Sequence, residues 1–453
     1  MNQKTQILLF TSLLLSITVF AQKLSTFTGK VIQSETGFPI ANVSVINTAT
    51  NTIVLSNING EFNIPYATEK TLNLVFDSAK YIVEEQLFNT SQKNVVISLK
   101  PRKLSAATAR WLTYIETEKA YNTLSYQENP AWKIEFKEEL LKGDFAIDTT
   151  LIRRDPSAVI KVGEKFYTYY TRGERFGENG RIKFFPWSEC EIWCASSTDG
   201  ITWKEEGVAI KRGKSGSFDD DSVFTPEVLA HNGMYYLVYQ SVKVPYTHRT
   251  IETVGIAYSK SPLGPWTKSD KPILVPTNNG IWGDGEEEKA VRKGDFDSHK
   301  VHDPCLVFFN NKFYLYYKGE RMGEERMHGQ REIKWGVAIA DNPLGPYKKS
   351  EFNPITNSGH EVCVWSYNGG IALIHTDDGP ERHTIQWAPD GIHFEIMGTI
   401  GKTPKAFGIF RTKDHDKSPT EGIKWGLSHG YGNGYWRTNY NYIKRFQIVE
   451  PTK

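Results

Sequence analysis

One pattern recurs five times along this chain and leaves little freedom for its fold. A polar or charged residue, often followed by proline, opens a short apolar run, and a tight turn then leads into a strand dense in aromatic residues. Arg154-Asp155-Pro156-Ser157-Ala158-Val159-Ile160 runs into Lys165-Phe166-Tyr167-Thr168-Tyr169-Tyr170. Thr225-Pro226-Glu227-Val228-Leu229 passes through His231-Asn232-Gly233 to Met234-Tyr235-Tyr236-Leu237, and His302-Asp303-Pro304-Cys305-Leu306 through Asn310-Asn311 to Lys312-Phe313-Tyr314-Leu315. A fourth copy joins Gly359-His360-Glu361-Val362-Cys363 to Ile371-Ala372-Leu373-Ile374, and a degenerate fifth begins near Lys405-Ala406-Phe407. Asn- and Gly-rich turns between β-branched and aromatic runs are hairpin signals. Each of the first four units also ends in a polar turn that delivers an aromatic residue: Trp203, Trp266, Tyr347 and Phe394. Repeats of about 40 to 80 residues, each holding several short strands, indicate an all-β β-propeller. Five copies predict five blades over residues 151–453, closed by a strand from residues 130–150 or from residues 442–449.

The sequence ahead of the repeat is of three kinds. Residues 1–21 carry Lys4, an apolar stretch from Ile7 to Phe20 and the small residue Ala21, the make-up of a secretory signal peptide. The stretch is too short for a membrane anchor, so an exported protein, periplasmic or secreted and without membrane insertion, is expected. Residues 22–101 hold short strands around Phe27, Val43, Ile53, Phe62, Leu74 and Ile97 at sandwich-like spacing, and resemble the carboxypeptidase regulatory-like domain. No acid, His or Cys cluster appears there, which points to an accessory role. In residues 102–150, Ser105 can cap a helix over 106–121 with Ala109, Leu112 and Ile115 on one face, and a second helical piece is expected over 132–141. This region reads either as a packed linker or as an oligomerisation arm.

A formal charge of +2 carries no nucleic-acid signal. Cys190, Cys194, Cys305 and Cys363 are too few to staple an exported protein of 453 residues, and no second ligand pair completes Cys190-x3-Cys194 as a metal site. They read as buried free thiols.

In a propeller the first strand of each blade lines the central channel, so the residues that open those strands converge. Asp155, Glu227, Asp303 and Glu361 open four of them, with His302 and His360 directly before the last two acids. Such residues also serve as plain strand-entry turns. Here their identity varies among Asp, Glu and His, which favours a functional cluster. Crowded carboxylates push one another's pKa values apart, giving one site both an acid and a base. Glycosidic hydrolysis needs two such groups and gains from aromatic platforms. Trp193, Trp335, Trp365, Trp387, Trp425 and Trp436 are candidates for the latter. Gln240 can bind a hydroxyl, and His248 reads either as a second such ligand or as a surface polar residue.

Taken together, the motifs around Asp155, Thr225-Pro226-Glu227, His302-Asp303 and His360-Glu361 resemble glycoside hydrolase family 117 over about residues 103–449. Ser105-Ala106-Ala107-Thr108-Ala109-Arg110 is similar to that family's N-terminal helical arm, which exchanges between the subunits of a dimer. The resemblance implies a homodimeric five-bladed propeller, exo-acting and inverting. It would release 3,6-anhydro-L-galactose from the non-reducing end of neoagaro-oligosaccharides by cleaving an α-1,3 linkage. It implies Asp155 as general base, Asp303 as a second essential acid, and His360 and Glu361 around the leaving group, with the histidine as the family's proposed proton donor. Trp193, Thr225, Glu227, Gln240, His248 and His302 fall at sugar-binding positions. No cofactor is required; by analogy a divalent ion can sit near the central channel, although no spacing here specifies its ligands. Residues 173–189 and 268–297 are long insertions able to reshape the pocket. Two competing readings remain: a five-bladed hydrolase of another galactan or of arabinan or xylan oligosaccharides, and a non-catalytic glycan-binding propeller. A degenerate binder is expected to lose one of Asp155, Asp303 or Glu361, and all three are present. His302 and His360 beside the acids favour family 117.

Overall fold

The computed structural model describes residues 24–116, 130–132, 134–285, 289–323, 326–327, 330–331, 333–411 and 420–449. The expected signal segment lies outside them. Among the described residues no helix is long and apolar enough to cross a membrane. The chain divides into two compact units, the first ending at Arg102 and the second beginning at Lys103.

The first unit is built from two sheets. In one, Ser25–Gln33 runs antiparallel to Glu61–Tyr66 and parallel to Val95–Leu99. The other orders Thr52–Leu55, Ser44–Asn47, Thr71–Asp77 and Glu84–Asn89 as antiparallel neighbours. Alternation along these strands sends Phe27, Val31, Phe62, Ile64, Leu74 and Ile97 into one shared core. The turn before Glu61 depends on Gly60: φ is +76°, and a Cβ there would stand 2.3 Å from Val31 O.

The second unit is a succession of antiparallel meanders, the organisation of a β-propeller. After Leu151–Arg154 and Ile160–Val162, the first continues through Lys165–Glu174, Glu191–Ser197 and Thr202–Ile210. The next is Ser222–His231, Met234–Val242, Thr253–Ser259 and Thr267–Lys268. It is followed by Lys300–Phe309, Lys312–Glu320, Lys334–Ala340 and Lys348–Lys349, and then by Cys363–Tyr367, Gly370–Ile374, Thr384–Ala388 and Glu395–Thr399. The last joins Gly408–Ile409, Trp425–Tyr431 and Asn441–Val449. Its outer strand comes from far upstream: Glu135–Leu140 pairs antiparallel with Asn441–Val449, while Ile152 pairs with Asn441 on the first meander's side. Both ends of the repeat region are thus tied into one sheet, and both candidate closing segments take part.

That strand corrects the helix expected over 132–141. Pro130–Trp132 makes a single 3-10 turn and the chain then extends. The Lys- and Glu-rich sequence favours helix locally, but cross-strand partners decide the outcome. Glu138 and Glu139 meet Lys444 and Arg445 at 2.8 and 2.7 Å, and Phe136 packs on Phe407 and Phe446.

The helix that Ser105 was expected to start is Ala106–Glu116; residues 117–121 of that expectation lie outside the described residues. The Ser105 hydroxyl accepts from Thr108 N–H at 3.1 Å and donates to Pro354 O at 2.6 Å. Arg110 forks onto Glu381 at 3.0 and 3.1 Å and also donates to Phe394 O. The described part of the expected arm is therefore anchored on its own chain.

The recurrent aromatic residues cement neighbouring meanders. Trp266 meets Tyr169 edge-on at 5.4 Å, and Phe394 meets Tyr316 at 6.3 Å. A second repeat was hidden in the aromatic strands. Tyr170, Tyr239 and Tyr317 each donate to a largely buried acid, Glu205, Asp219 and Asp297, and each acid also pairs with a cation, Arg153, Lys268 and Lys349. The four cysteines are buried and free.

Candidate active site

Three strand entries share one backbone device. Asp155, Thr225 and Asp303 have φ of 49°, 45° and 46°, each directly before a proline. The ladders slip at these points, between Phe224 and Glu227 and between His302 and Cys305. Left-handed φ at a non-glycine residue is costly, and a bulge bends the strand and re-aims its side chain. The three side chains are turned into a cavity of about 660 Å³. At the fourth entry Gly359 takes φ +117°, and a Cβ there would stand 2.4 Å from Trp335 Nε1. His360 and Glu361 follow it into the same cavity.

The second meander is thereby re-registered. The position equivalent to Asp155 and Asp303 is Thr225, and the expected sugar ligand Glu227 lies two residues further along, outside the cavity lining. Glu227 is buried, accepts Ala158 N–H at 2.9 Å and pairs with Arg411 at 2.6 Å. Arg411 also reaches Leu306 O and Cys305 Sγ, so one guanidinium ties strands of the second and third meanders to the segment after Gly408–Ile409. Among the described residues no group of three or more His, Cys, Asp or Glu is arranged to hold a metal.

Trp193 also lies outside that lining. Its ring lies under Arg172, 3.9 Å from the guanidinium, and packs with Trp203 and Phe145 rather than on the cavity. Trp335 and Trp365 are buried, and Trp387 and Trp425 pack against the core. Of the Trp candidates only Trp436 reaches the cavity, joined by Trp187 and Trp282, which the sequence reading did not single out. Those two lie in the two long insertions, and Trp187 stacks on Phe185 at 4.9 Å with rings 5° from parallel.

Asp155, buried to 5% exposure, is held from several sides. Arg154 Nε donates to Oδ2 at 2.7 Å, and the Thr225 hydroxyl lies 3.3 Å from the same oxygen. His429 Nδ1 stands 3.2 Å from both Oδ1 and the Asp155 backbone N. Burial pushes this carboxyl up, but Arg154 and His429 outweigh it and hold it well below the usual carboxylate range. Burial is the main influence lowering the His429 imidazole, whose Nε2 lies 2.8 Å from the Tyr431 hydroxyl.

The other acids are partnered differently. Asp303 meets Lys318 Nζ at 2.5 Å. His302 lies between Glu252 at 3.3 Å and Glu320 at 3.1 Å. Burial and Lys318 oppose its protonation, and the two glutamates overcome them, so its pKa is raised. Gln240 donates to Glu252 and lies 3.4 Å from His302 Nδ1. His360 Nδ1 meets Asp378 Oδ2 at 2.6 Å, and its Nε2 is 3.7 Å from Glu361 Oε1. The Thr376 hydroxyl donates to Glu361 at 3.3 Å. His248 lines the cavity with its ring edge-on to Phe184 at 4.9 Å.

Eight of the ten expected site residues thus share one cavity. Arg154, Glu252, Lys318, Glu320, Asp378 and His429 were missed. Most lie at strand ends or loops remote in sequence from the acids they serve, and no local motif marks them.

The arrangement offers a carboxylate fixed in its charged form, an imidazole oriented by a second carboxylate, further acids and aromatic walls. Those are the parts needed to activate a water and protonate a leaving oxygen across a sugar-sized space.

The model of the glycosyl hydrolases family 43 matches residues 150–286. A solved structure of a family 117 glycoside hydrolase produced by the marine bacterium Zobellia galactanivorans is similar at 33% identity. The match covers 71% of this chain and 92% of that one, with a TM-score of 0.59. A family 43 β-xylosidase/α-arabinofuranosidase from a compost microbial metagenome matches at 16% identity, covering 68% and 94%, with a TM-score of 0.42. A family 43 enzyme from Xanthomonas citri, complexed with xylose, matches at 13%, covering 66% and 88%, with a TM-score of 0.41. No curated protein matches the chain.

Proposed function

The chain belongs to glycoside hydrolase family 117, and from that premise we propose that it is an exo-acting, inverting glycosidase of red-algal galactan breakdown. It releases 3,6-anhydro-L-galactose from the non-reducing end of neoagaro-oligosaccharides by hydrolysing the α-1,3 linkage. One observation carries this reading: a carboxylate held ionised, Asp155, shares a cavity with His360, whose imidazole is held by Asp378.

Inversion needs a base that takes a proton from the attacking water and a separate acid that protonates the departing oxygen. The two stand about 6.5 to 9.5 Å apart so that the water fits. Asp155 is the base. Arg154 and His429 keep it charged in the resting enzyme, and it takes up the proton as the water oxygen bonds to the anomeric carbon and the glycosidic C–O bond breaks. His360 delivers the second proton. Its Nδ1–H bonded to Asp378 leaves Nε2 to face the leaving oxygen, and Glu361 steadies the charge of the imidazolium. Asp303 is paired with Lys318 and orients sugar hydroxyls, with Thr225 and Gln240. Trp187, Trp282 and Trp436 supply stacking faces.

The family 43 match over the first two meanders favours one further reading, hydrolysis of arabinan or xylan oligosaccharides. Incubation with neoagarobiose and with carrageenan, porphyran, arabinan and xylan fragments, followed by product analysis, separates the two. Anhydro-galactose from neoagarobiose is expected; release of arabinose or xylose alone contradicts the proposal. The reading includes export and a homodimer through the N-terminal arm. Light scattering that finds a monomer at micromolar concentration rules the dimer out.

A further inference from the structure

His299 lies on the wall of the same cavity and takes no part in the chemistry above. It precedes the Lys300–Phe309 strand, and its backbone N–H is fixed on Glu320 O at 2.9 Å. The side chain is held on two sides. Trp282 meets its ring edge-on, with centroids 4.9 Å apart and planes at 86°, and one ring nitrogen bonds to the backbone of Arg249. The other nitrogen, Nε2, is buried and has no hydrogen-bond partner among the described residues, in a residue only 4% exposed.

Burial, and after it the neighbouring Lys300, push this imidazole down to about 4, so at neutral pH it carries a single N–H. The contact with the Arg249 backbone favours the protonated ring, so it is a donation from Nδ1–H to a carbonyl. Nε2 is then a lone pair and nothing else. A buried acceptor left without a donor is costly, and native structures rarely leave one without a reason. A ligand that satisfies it must bring an X–H group alongside an aromatic face. Trp282 is half-buried beside it, with the Arg249 guanidinium 5.1 Å from its ring.

We propose that His299 Nε2 accepts a hydrogen bond from a free hydroxyl of the bound oligosaccharide at a subsite walled by Trp282, and so selects sugars that keep that hydroxyl unsubstituted. This rests on the glycosidase reading. A sugar in which the hydroxyl is methylated, sulfated or closed into an ether ring has no proton to offer and leaves Nε2 orphaned. A site that hydrogen-bonds a hydroxyl rejects the analogue lacking it far more strongly than an apolar pocket rejects an extra group.

The test uses the full-length Asp155→Asn protein, to block turnover, with 15N-labelled histidines. The His299 resonances are assigned by their loss in an added His299→Gln change. Neoagarobiose and the oligosaccharide panel above are titrated in, with saturation followed separately by tryptophan fluorescence. The His299 Nε2 signal should move toward that of a hydrogen-bonded nitrogen when the sugar saturates. His299→Leu should weaken binding about tenfold, the worth of one such bond, and His299→Gln, which restores an acceptor, should recover most of it. A sugar that saturates the protein while the Nε2 signal stays in place overturns the inference and leaves the glycosidase reading standing. Absence of binding by every sugar overturns both.

Discussion

Replacing Arg411 by methionine removes the cation from the Glu227 pair while keeping much of the side chain's volume. Glu227, whose side chain is 10% exposed, would keep the Ala158 N–H as its hydrogen-bond donor among the described residues. Breaking a buried pair by deleting one partner typically costs about 3 to 5 kcal/mol, because the remaining charge is stranded. Glu227→Gln keeps an acceptor for Ala158 and removes the charge. The double variant should therefore be more stable than Arg411→Met alone, by about 1 to 3 kcal/mol of coupling. The pH dependence has a definite sign. Burial raises the Glu227 carboxyl, and Arg411 and the Ala158 N–H only partly offset it, so the folded protein keeps this proton at pH values where the unfolded chain, with its value of about 4.3, has lost it. This group's contribution to stability is full below the unfolded value and declines as pH rises through the folded one. Loss of Arg411 raises the folded value further, so the deficit against the parent should be larger at pH 8 than at pH 5. Urea unfolding of the four proteins at both pH values measures all of this. Equal stability of the single and double variants, or a deficit that shrinks toward pH 8, would refute the argument.

Three other outcomes are expected. Asp378→Asn should lower kcat about 100-fold or more with KM little changed, since it loosens the His360 tautomer and not the sugar, as steady-state kinetics will show. Trp187→Ala should raise KM roughly tenfold, whereas Trp193→Phe should leave it unchanged because Arg172 already covers that ring. Deleting residues 22–102 should leave kcat/KM unaltered, as each unit has its own core; full stability with lost turnover would contradict this.

The fold was legible because its signals repeat. Each expected unit start opens a meander, and the alternation of Phe62 and Ile64 or Leu72 and Leu74 marks core-facing strand positions directly. The segment 132–141 was misread because its Lys and Glu residues favour helix locally, while its partner strand lies some 300 residues away, beyond any sequence window. The acids of the cavity were legible as strand openings. Glu227 misled because the acid in its unit follows the proline, whereas Asp155 and Asp303 precede theirs; only the positive φ of Thr225 identifies the equivalent position. Trp187 and Trp282 escaped for a different reason. They sit in insertions that carry no repeat signal, so only tertiary placement turns them toward the cavity.

The central claim, that Asp155 acts as the base of an inverting hydrolase, is tested most directly by following neoagarobiose hydrolysis by proton NMR from the first minutes, with the parent enzyme and with Asp155→Asn. The account predicts that the first anhydro-galactose anomer formed is the inverse of the substrate's, and that Asp155→Asn binds the sugar but does not turn it over. A first product that retains the substrate's anomeric configuration, or near-normal turnover by Asp155→Asn, would contradict it.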